Sequence, residues 1–254
     1  MNFALLITAC IQVEKENVHS SFRSDTATRL NDYITAFKYW LNYKETKITT
    51  ILFVENSGYD LAVLKEIAEN ENTYQRSVEF IQFEPTTRPK GLHYGYSELE
   101  IIDMAFRLSK TIDYTQFTIK VTGRLYFPKL GKLIRTVHPH NNVIIDFKDY
   151  DFFKIHKHYA ITTLVIIQND FYRKNLFDAK KTMVKDHTDH FETLYFNILK
   201  PLALKDKNIV TRFPFNINPV GVGGYFNTSY NSLSKNVESL IRQVFRIILP
   251  KFQI

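Results

Sequence analysis

Apolar and polar residues alternate along the first half of the chain in the patterns of successive strands and helices. Residues 3–10 are an apolar run typical of a buried strand. Residues 26–44 carry apolar side chains at helical spacing behind Ser24 and Asp25, either of which can cap a helix. The β-branched run of residues 48–54 then predicts a second strand.

The same alternation continues through the next seventy residues. Asp60 can cap a second helix, residues 78–83 predict a third strand, and Ser97 with Glu100 matches the Ser-x-x-Glu capping box of a third helix. Residues 116–121 predict a fourth strand. Strands that alternate with helices imply right-handed crossovers. The predicted fold class is therefore α/β, with a Rossmann-type, mostly parallel central sheet flanked by helices.

The second half of the chain is less regular. Its pattern predicts strands over 142–147 and 160–168, a helix over 188–199 and a C-terminal basic amphipathic helix over 231–254. Such a helix either closes the core or contacts an anionic membrane surface with its basic residues. The sequence leaves both interpretations open.

Composition narrows the class of protein. With 44% apolar and 23% charged residues and only 8 Gly and 8 Pro in 254 residues, the chain is neither disordered nor a coiled coil. A net charge of +7 favours anionic partners such as nucleotides, nucleic acid or acidic lipid. Residues 7–10 are similar to a lipoprotein cleavage box, but the uncharged start favours a strand. The single Cys10 favours a reducing cytosol.

Four polar clusters follow or end the predicted strands. They are Thr8 with Arg23 and Arg29, the run Glu55-Asn56-Ser57-Gly58, the run from Lys90 and Gly91 to Gly95 and Tyr96, and the run Lys120-Val121-Thr122-Gly123-Arg124. Ligands of parallel sheets bind at the carboxyl ends of the strands, where glycine backbone, helix N-termini and cationic side chains can hold a diphosphate. The clusters together predict a nucleotide or nucleotide-sugar pocket, although each alone is also an ordinary turn.

Lys120 lies inside an otherwise apolar strand. Burying an unpaired ammonium group costs several kcal/mol. The side chain is therefore expected either to face a wet pocket or to pair with a carboxylate.

Residues 3–130 resemble the bacterial glycosyltransferases of capsule and lipopolysaccharide gene clusters, which share the nucleotide-diphospho-sugar transferase, or GT-A, fold. The resemblance rests on Thr8-Ala9-Cys10 at the end of the first strand, the helix from Asp25, Glu55-Asn56-Ser57-Gly58, the segment from Lys90-Gly91 to Glu98, and the strand over 117–121. It implies a single domain over 1–254, with a nucleotide-sugar half (1–130), an acceptor half (131–230) and the basic helix.

The resemblance also implies an activity, the transfer of a sugar from a nucleotide-sugar donor to a growing cell-surface glycan or a lipid-linked acceptor. The enzyme would work in the cytoplasm, or at the inner face of the membrane. On the donor side, Arg23, Arg29, Glu55 and Asn56 would line the nucleoside, and Thr8 would be a further donor-binding residue. Lys90, Gly91, Gly95, Glu98, Lys120, Thr122, Gly123 and Arg124 would line the diphosphate and sugar.

The metal motif of the resembled fold is replaced in this chain. That fold generally has Asp-x-Asp at the end of the fourth strand, where this sequence has residues 120–124 instead. Arg124 can bind two phosphate oxygens, and Lys120 can neutralise a third as the nucleotide leaves. We therefore assign no metal ligand, although Asp146 or Asp149 could recruit Mn²⁺ or Mg²⁺.

Sugar transfer with inversion needs a carboxylate that accepts the proton of the acceptor hydroxyl. In the resembled fold the later part of the chain builds the acceptor side, which makes Glu192, Asp189 and Asp186 the candidates, with Glu192 preferred. Acidic residues also favour helix starts through capping and the helix dipole, so the segment has an ordinary structural explanation too.

Two other functions fit the sequence. A nucleotidyltransferase of related fold would need a metal for attack on an α-phosphate. A non-catalytic module that binds nucleic acid or another anion would use the 21 Phe and 15 Tyr beside the basic excess. Because most aromatic residues fall at core-facing positions and the basic residues are spread, we expect no nucleic-acid partner.

Overall fold

The computed structural model describes residues 1–13, 23–149, 158–184 and 190–223, together with residues 243, 244 and 248. Its strands are β1 (Phe3–Ala9), β2 (Ile48–Glu55), β3 (Ser77–Gln82), β4 (Phe117–Thr122), β5 (Leu125–Tyr126), β6 (Val143–Asp149), β7 (His158–Gln168), β8 (Ile209–Val210) and β9 (Val220–Gly221). Its helices are α1 (Thr26–Leu41), α2 (Ala62–Glu71), α3 (Gly95–Leu108), α4 (Leu130–Ile134), α5 (Asn169–Asn175) and α6 (Phe191–Ala203), with 3₁₀ turns at Ile112–Tyr114 and Ala179–Thr182.

In these ranges the strands form a seven-stranded sheet in the order β3-β2-β1-β4-β7-β6-β8 and a two-stranded sheet of β5 and β9. Strands β3, β2, β1 and β4 are parallel, as are β6 and β8. Strand β7 runs antiparallel to both of its neighbours. The predicted α/β class, with a mostly parallel central sheet flanked by helices, is confirmed.

The strand order reverses between β1 and β4. The chain adds β2 and β3 on one side of β1 and then returns to place β4 on its other side. Such a switch point leaves a crevice at the carboxyl ends of the two strands, which is where open α/β sheets bind ligands. A ligand is therefore expected to bind near Ala9 and Thr122, where β1 and β4 end.

Helices cover both faces of the sheet and bury two apolar clusters. On one face, Ile7 and Val121 pack with Phe37 and Trp40 of α1. On the other face, Leu6 packs in the cluster that contains apolar residues of α3 and α6. Because side chains alternate along a strand, Thr8, Lys120 and Thr122 project towards this second face.

The predicted start of α1 is confirmed, whereas the N-cap of α2 is Leu61, with the Asp60 carboxylate accepting the Ala62 N–H at 2.9 Å. The helix predicted over 188–199 is α6, which begins at Phe191. The Asp25 carboxylate accepts the Thr28 N–H at 2.7 Å and caps α1, which ends at Leu41. The prediction of a Ser97-x-x-Glu100 capping box is wrong, because α3 begins at Gly95 and Glu100 is buried, accepting a hydrogen bond from the Thr86 hydroxyl. The missing side chain of Gly95 allows this earlier start, since a Cβ there would lie 2.8 Å from the Cβ of Phe191 in α6.

Most of the predicted basic helix over 231–254 lies outside the described residues. Of its predicted apolar face the structure describes Val244 and Ile248, and both are exposed. In the part of the chain that the structure describes, no helix is both long and apolar enough to cross a membrane. The division of the chain at residues 130 and 230 stays a prediction.

Candidate functional site

Backbone at the switch point is packed very closely. Thr8 and Thr122 are paired positions of β1 and β4, and the Gly123 N–H donates to the Thr8 carbonyl at 3.0 Å. A Cβ at position 123 would lie 2.5 Å from that carbonyl oxygen. Because no side chain tolerates such a contact, glycine is required there for the close approach of the two strand ends.

A partly buried cluster of polar side chains lies between these strand ends and the N-termini of α3 and α6. We call it the polar cluster, and its members are Thr8, Glu98, Lys120, Thr122, Thr162 and Glu192. Its centre is the ion pair between Lys120 Nζ and Glu98 Oε1, at 2.5 Å. The hydroxyls of Thr8 and Thr122 lie 3.3 and 3.4 Å from the same carboxylate oxygen.

Lys120 is only 1% exposed, and of the two sequence alternatives it takes the second, pairing with a carboxylate. Its ammonium group donates to Glu98 Oε1, to the Thr162 carbonyl at 2.8 Å and to the Thr122 hydroxyl at 3.3 Å. The Phe191 ring centre lies 5.2 Å from the same nitrogen. Since an ammonium group has three N–H donors, each has an acceptor within the protein.

Glu192 lies in the first turn of α6, and its Oε1 accepts the Thr162 hydroxyl at 3.2 Å. Burial raises the pKa of the Glu192 carboxyl, and the nearby Glu98 carboxylate raises it further, against the opposing effects of Lys120 and the Thr162 hydroxyl. A carboxyl with a raised pKa in a crevice is suited to proton transfer near neutral pH.

The loops after β1 and β2 are held together by Glu55. Its fully buried carboxylate accepts the backbone N–H groups of Ile11 at 3.0 Å, Ser57 at 2.9 Å and Tyr59 at 3.3 Å. Asn56, the next residue, is buried with its side-chain oxygen lacking a hydrogen-bond partner among the described residues. A buried amide oxygen without a donor is the kind of group that a bound ligand can satisfy.

Arg23 and Arg29, both predicted at the nucleoside, make extensive contacts within the protein. The Arg29 guanidinium donates to the carbonyls of Cys10 at 3.0 Å, Ile11 at 3.2 Å and Arg23 at 3.0 Å. Arg23 forms an ion pair with Asp32 of α1 at 2.5 Å. The two arginines thus shape the chain after β1, and their contact with a nucleoside stays a prediction.

Arg124 lies apart from the polar cluster, beside Tyr33 of α1. Its guanidinium carbon is 6.0 Å from the Tyr33 ring centre, within cation–π range. Its Nε and Nη1 are buried and have no hydrogen-bond partner among the described residues. Lys90 and Gly91 form the turn that precedes α3, where Lys90 is exposed and Gly91 has a φ of +87°.

The carboxylates proposed to recruit a metal are already engaged. Asp146 lies 3.3 Å from the Lys148 ammonium and accepts the Phe213 N–H at 3.1 Å. Asp149 contacts the Lys200 ammonium at 2.8 Å and His158 Nδ1 at 3.1 Å. A divalent cation would have to displace these groups, so the two residues do not fit a metal site.

The described ranges also contain no group of three or more His, Cys, Asp or Glu side chains arranged to hold a metal ion. Asp186 and Asp189, the other candidates for the catalytic base, lie outside the described residues.

Thr162 of β7 was not predicted from the sequence, although its hydrogen bonds link Lys120 to Glu192. The only signal for it was a pair of threonines inside the apolar run of residues 160–168. Five of the six members of the polar cluster were predicted, and the structure brings these five together; their catalytic and binding roles stay predictions.

No protein-family model matches the chain, and no curated protein matches it significantly. Solved structures do match it. The inositol-1-phosphate CTP transferase from T. maritima has a TM-score of 0.51 and 9% identity, over 96% of this chain and 96% of that one. The bifunctional glycosyltransferase WbbM has a TM-score of 0.51 and 9% identity, over 94% of this chain and 44% of that one. The galactosyltransferase LgtC, solved with donor and acceptor sugar analogs, has a TM-score of 0.50 and 10% identity, over 82% of this chain and 72% of that one. At these identities the similarity shows a GT-A-like fold.

Proposed function

We propose that the protein is a glycosyltransferase that moves a sugar from a nucleotide-sugar donor to a hydroxyl of a growing cell-surface glycan. The observation that carries this proposal is the polar cluster, which places two carboxylates and an ammonium group in the crevice where the strand order reverses. The fold is shared with glycosyltransferases such as LgtC, whose structure holds donor and acceptor sugar analogs.

Glu192 is our candidate for the catalytic base. In a direct displacement the acceptor oxygen bonds to the anomeric carbon of the sugar, and the bond from that carbon to the diphosphate oxygen breaks. The nucleoside diphosphate leaves with the bonding electrons, and the acceptor proton passes to Glu192. The raised pKa of Glu192 makes it a stronger base than an ordinary carboxylate.

The donor would lie over the ends of β1, β2 and β4. The Asn56 side-chain oxygen has no partner among the described residues and is available to a nucleoside donor group. Arg124 has two guanidinium nitrogens, Nε and Nη1, without an acceptor among the described residues, and a guanidinium group can bind two phosphate oxygens at once. We therefore assign Asn56 to the nucleoside side and Arg124 to the diphosphate side.

Replacing Glu192 with Gln tests the base assignment. Gln keeps the length of the side chain and an oxygen for the Thr162 hydroxyl, so the protein is expected to fold. Turnover should fall by about 10²–10⁴-fold, while the nucleotide-induced rise in melting temperature stays unchanged. Glu69→Gln on the exposed face of α2 is the matched control and should keep full activity. An equal loss of nucleotide binding in Glu192→Gln would contradict the assignment.

A nucleotidyltransferase is the second candidate, because the T. maritima CTP transferase shares the fold over 96% of both chains. The products separate the two reactions. Sugar transfer from a nucleotide sugar releases a nucleoside diphosphate, whereas attack of a sugar phosphate on a nucleoside triphosphate releases pyrophosphate. Pyrophosphate release that depends on added Mg²⁺ would favour the second candidate.

The acceptor, the cytoplasmic location and a peripheral membrane contact through residues 231–254 also belong to the proposal. Co-sedimentation with anionic vesicles, compared with neutral ones, tests the membrane contact. A non-catalytic anion-binding module is the remaining alternative, and oligonucleotide binding that weakens steeply with salt would support it.

A further inference from the structure

We propose that Lys120 is a positioning residue, an internal counter-ion that holds Glu98 and Glu192 for proton transfer, and is not a ligand of the donor diphosphate. The role given to Glu192 rests on the function proposed above. The sequence alone predicts a different role, in which Lys120 neutralises a phosphate oxygen of the donor.

All three N–H groups of the Lys120 ammonium already donate to acceptors within the protein. Its three N–H groups have three protein acceptors, on α3, β4 and β7, and the side chain is 1% exposed. To reach a phosphate, the ammonium group would have to leave the Glu98 carboxylate and two neutral acceptors. Removing one partner from a buried ion pair is strongly unfavourable, so the observed arrangement is expected to persist when the donor binds.

Lys120 also connects the carboxylates of Glu98 and Glu192. It contacts Glu98 directly, through Oε1, and the Glu98 side chain remains 24% exposed. It reaches Glu192 through one residue, because the Thr162 carbonyl accepts from Lys120 and the Thr162 hydroxyl donates to Glu192. One ammonium group therefore fixes the positions of two acidic side chains that belong to different helices.

The charged groups around Glu192 have opposite effects on its ionisation. Among the described residues these are Glu98 on α3 and Lys120 on β4. The titratable His190, just before α6, has its ring centre 3.9 Å from that of His93. Glu98 disfavours ionisation of Glu192, whereas Lys120 and the Thr162 hydroxyl favour it. Removing Lys120 and removing the charge of Glu98 should therefore move the titration of Glu192 in opposite directions.

The test is the pH dependence of turnover. In Lys120→Met the acidic limb of the kcat/KM profile should move to higher pH, because Glu192 becomes harder to ionise. In Glu98→Gln the limb should move to lower pH. Thr162→Val should move it the same way as Lys120→Met, and Thr162→Ser, which keeps the hydroxyl, should match the wild type. The nucleotide-sugar KM should change by less than about threefold in all four variants, since one lost phosphate contact changes binding by more than that.

A second measurement tests the counter-ion role without any substrate, so that its result does not depend on the proposed activity. NMR titration of ¹³C-labelled Glu carboxyl groups in the full-length protein, assigned with Glu192→Gln and Glu98→Gln, follows Glu192 without any substrate. The double variant Lys120→Met/Glu98→Gln removes the ion pair as a unit and guards against a misfolded single variant.

Opposite shifts of the Glu192 titration in the Lys120→Met and Glu98→Gln proteins support the counter-ion role, even if the wild type transfers no sugar. A Glu192 titration that is the same in wild type and both variants overturns it. So does a Lys120→Met protein that loses nucleotide affinity while the pH profile stays in place, because that result is expected of a phosphate ligand.

Discussion

Gly123→Ala perturbs the point where β1 and β4 end together. The added methyl group would lie 2.5 Å from the Thr8 carbonyl oxygen, 2.8 Å from Cε1 of Tyr33 and 2.9 Å from Cγ2 of Ile7. Non-bonded carbon atoms pack at about 3.5–4.0 Å, so the methyl group needs roughly 1 Å of movement from its neighbours. Two of these three contacts belong to the central strand β1, which cannot move without disturbing β2 and β4.

Overpacking of this kind costs about 1–3 kcal/mol. For a chain of this size each kcal/mol lowers the melting temperature by about 2–4 °C, so Gly123→Ala should melt roughly 5 °C below the wild type. Nucleotide binding should weaken as well, because the donor is proposed to lie over the ends of β1, β2 and β4, and Gly123 directly follows β4. Differential scanning calorimetry with and without the nucleotide sugar measures both effects.

Gly131→Ala in α4 is the matched control. A Cβ there would meet the Glu45 carboxylate at 3.0 Å and the Tyr43 hydroxyl at 3.2 Å, both of them ends of side chains that can move. Alanine also suits a helix better than glycine does, so the melting temperature should change little. The packing argument is refuted if Gly123→Ala melts with the wild type or if both variants lose the same stability.

Two further predictions concern stability. Arg29→Met should cost about 1–3 kcal/mol in urea unfolding because it removes the guanidinium hydrogen bonds to the Cys10, Ile11 and Arg23 carbonyls. Lys38→Met, which removes the ion pair with Glu71 whose side chains are 42% and 38% exposed, should cost less than about 1 kcal/mol, and the reverse order would contradict the structural role of Arg29. Burial opposes ionisation of Glu79, but hydrogen bonds from Thr111 and its neighbours outweigh burial and lower the Glu79 pKa below the ordinary 4.5. The stability from this carboxylate is therefore present above pH 4.5 and lost as the pH falls through the folded-state value. Glu79→Gln should flatten the acid dependence of the melting temperature, and an unchanged slope between about pH 3 and pH 5 would count against this reasoning.

The fold and most of the polar cluster could be predicted because both follow from one rule. The alternation of strands and helices fixed a parallel sheet, and the carboxyl ends of parallel strands meet at one edge. Polar residues that end different strands are therefore brought together, as Thr8 and Thr122 are. Lys120 was informative because an ammonium group inside an apolar strand requires a partner.

Other features could not be read from the sequence for physical reasons. Apolar periodicity carries no strand direction, so the reversal of β7 and the contact of Thr162 with the site were not predictable. The helix start at Gly95 depends on its packing against Phe191, a contact between distant segments. A sequence also does not show whether backbone carbonyls already occupy a guanidinium group, as those of Cys10 and Arg23 do for Arg29.

We propose that a nucleotide sugar binds at the ends of β1, β2 and β4. The most direct measurement is a thermal-shift panel of UDP-, GDP-, CMP- and dTDP-sugars, each with excess chelator and with Mn²⁺. A ligand at 100 times its Kd stabilises the folded state by about 2.7 kcal/mol, which is readily detected. We expect one nucleotide class to raise the melting temperature. The rise should persist in excess chelator and should be smaller in Asn56→Ala. No shift with any nucleotide class, or a shift that Asn56→Ala leaves unchanged, would contradict this proposal.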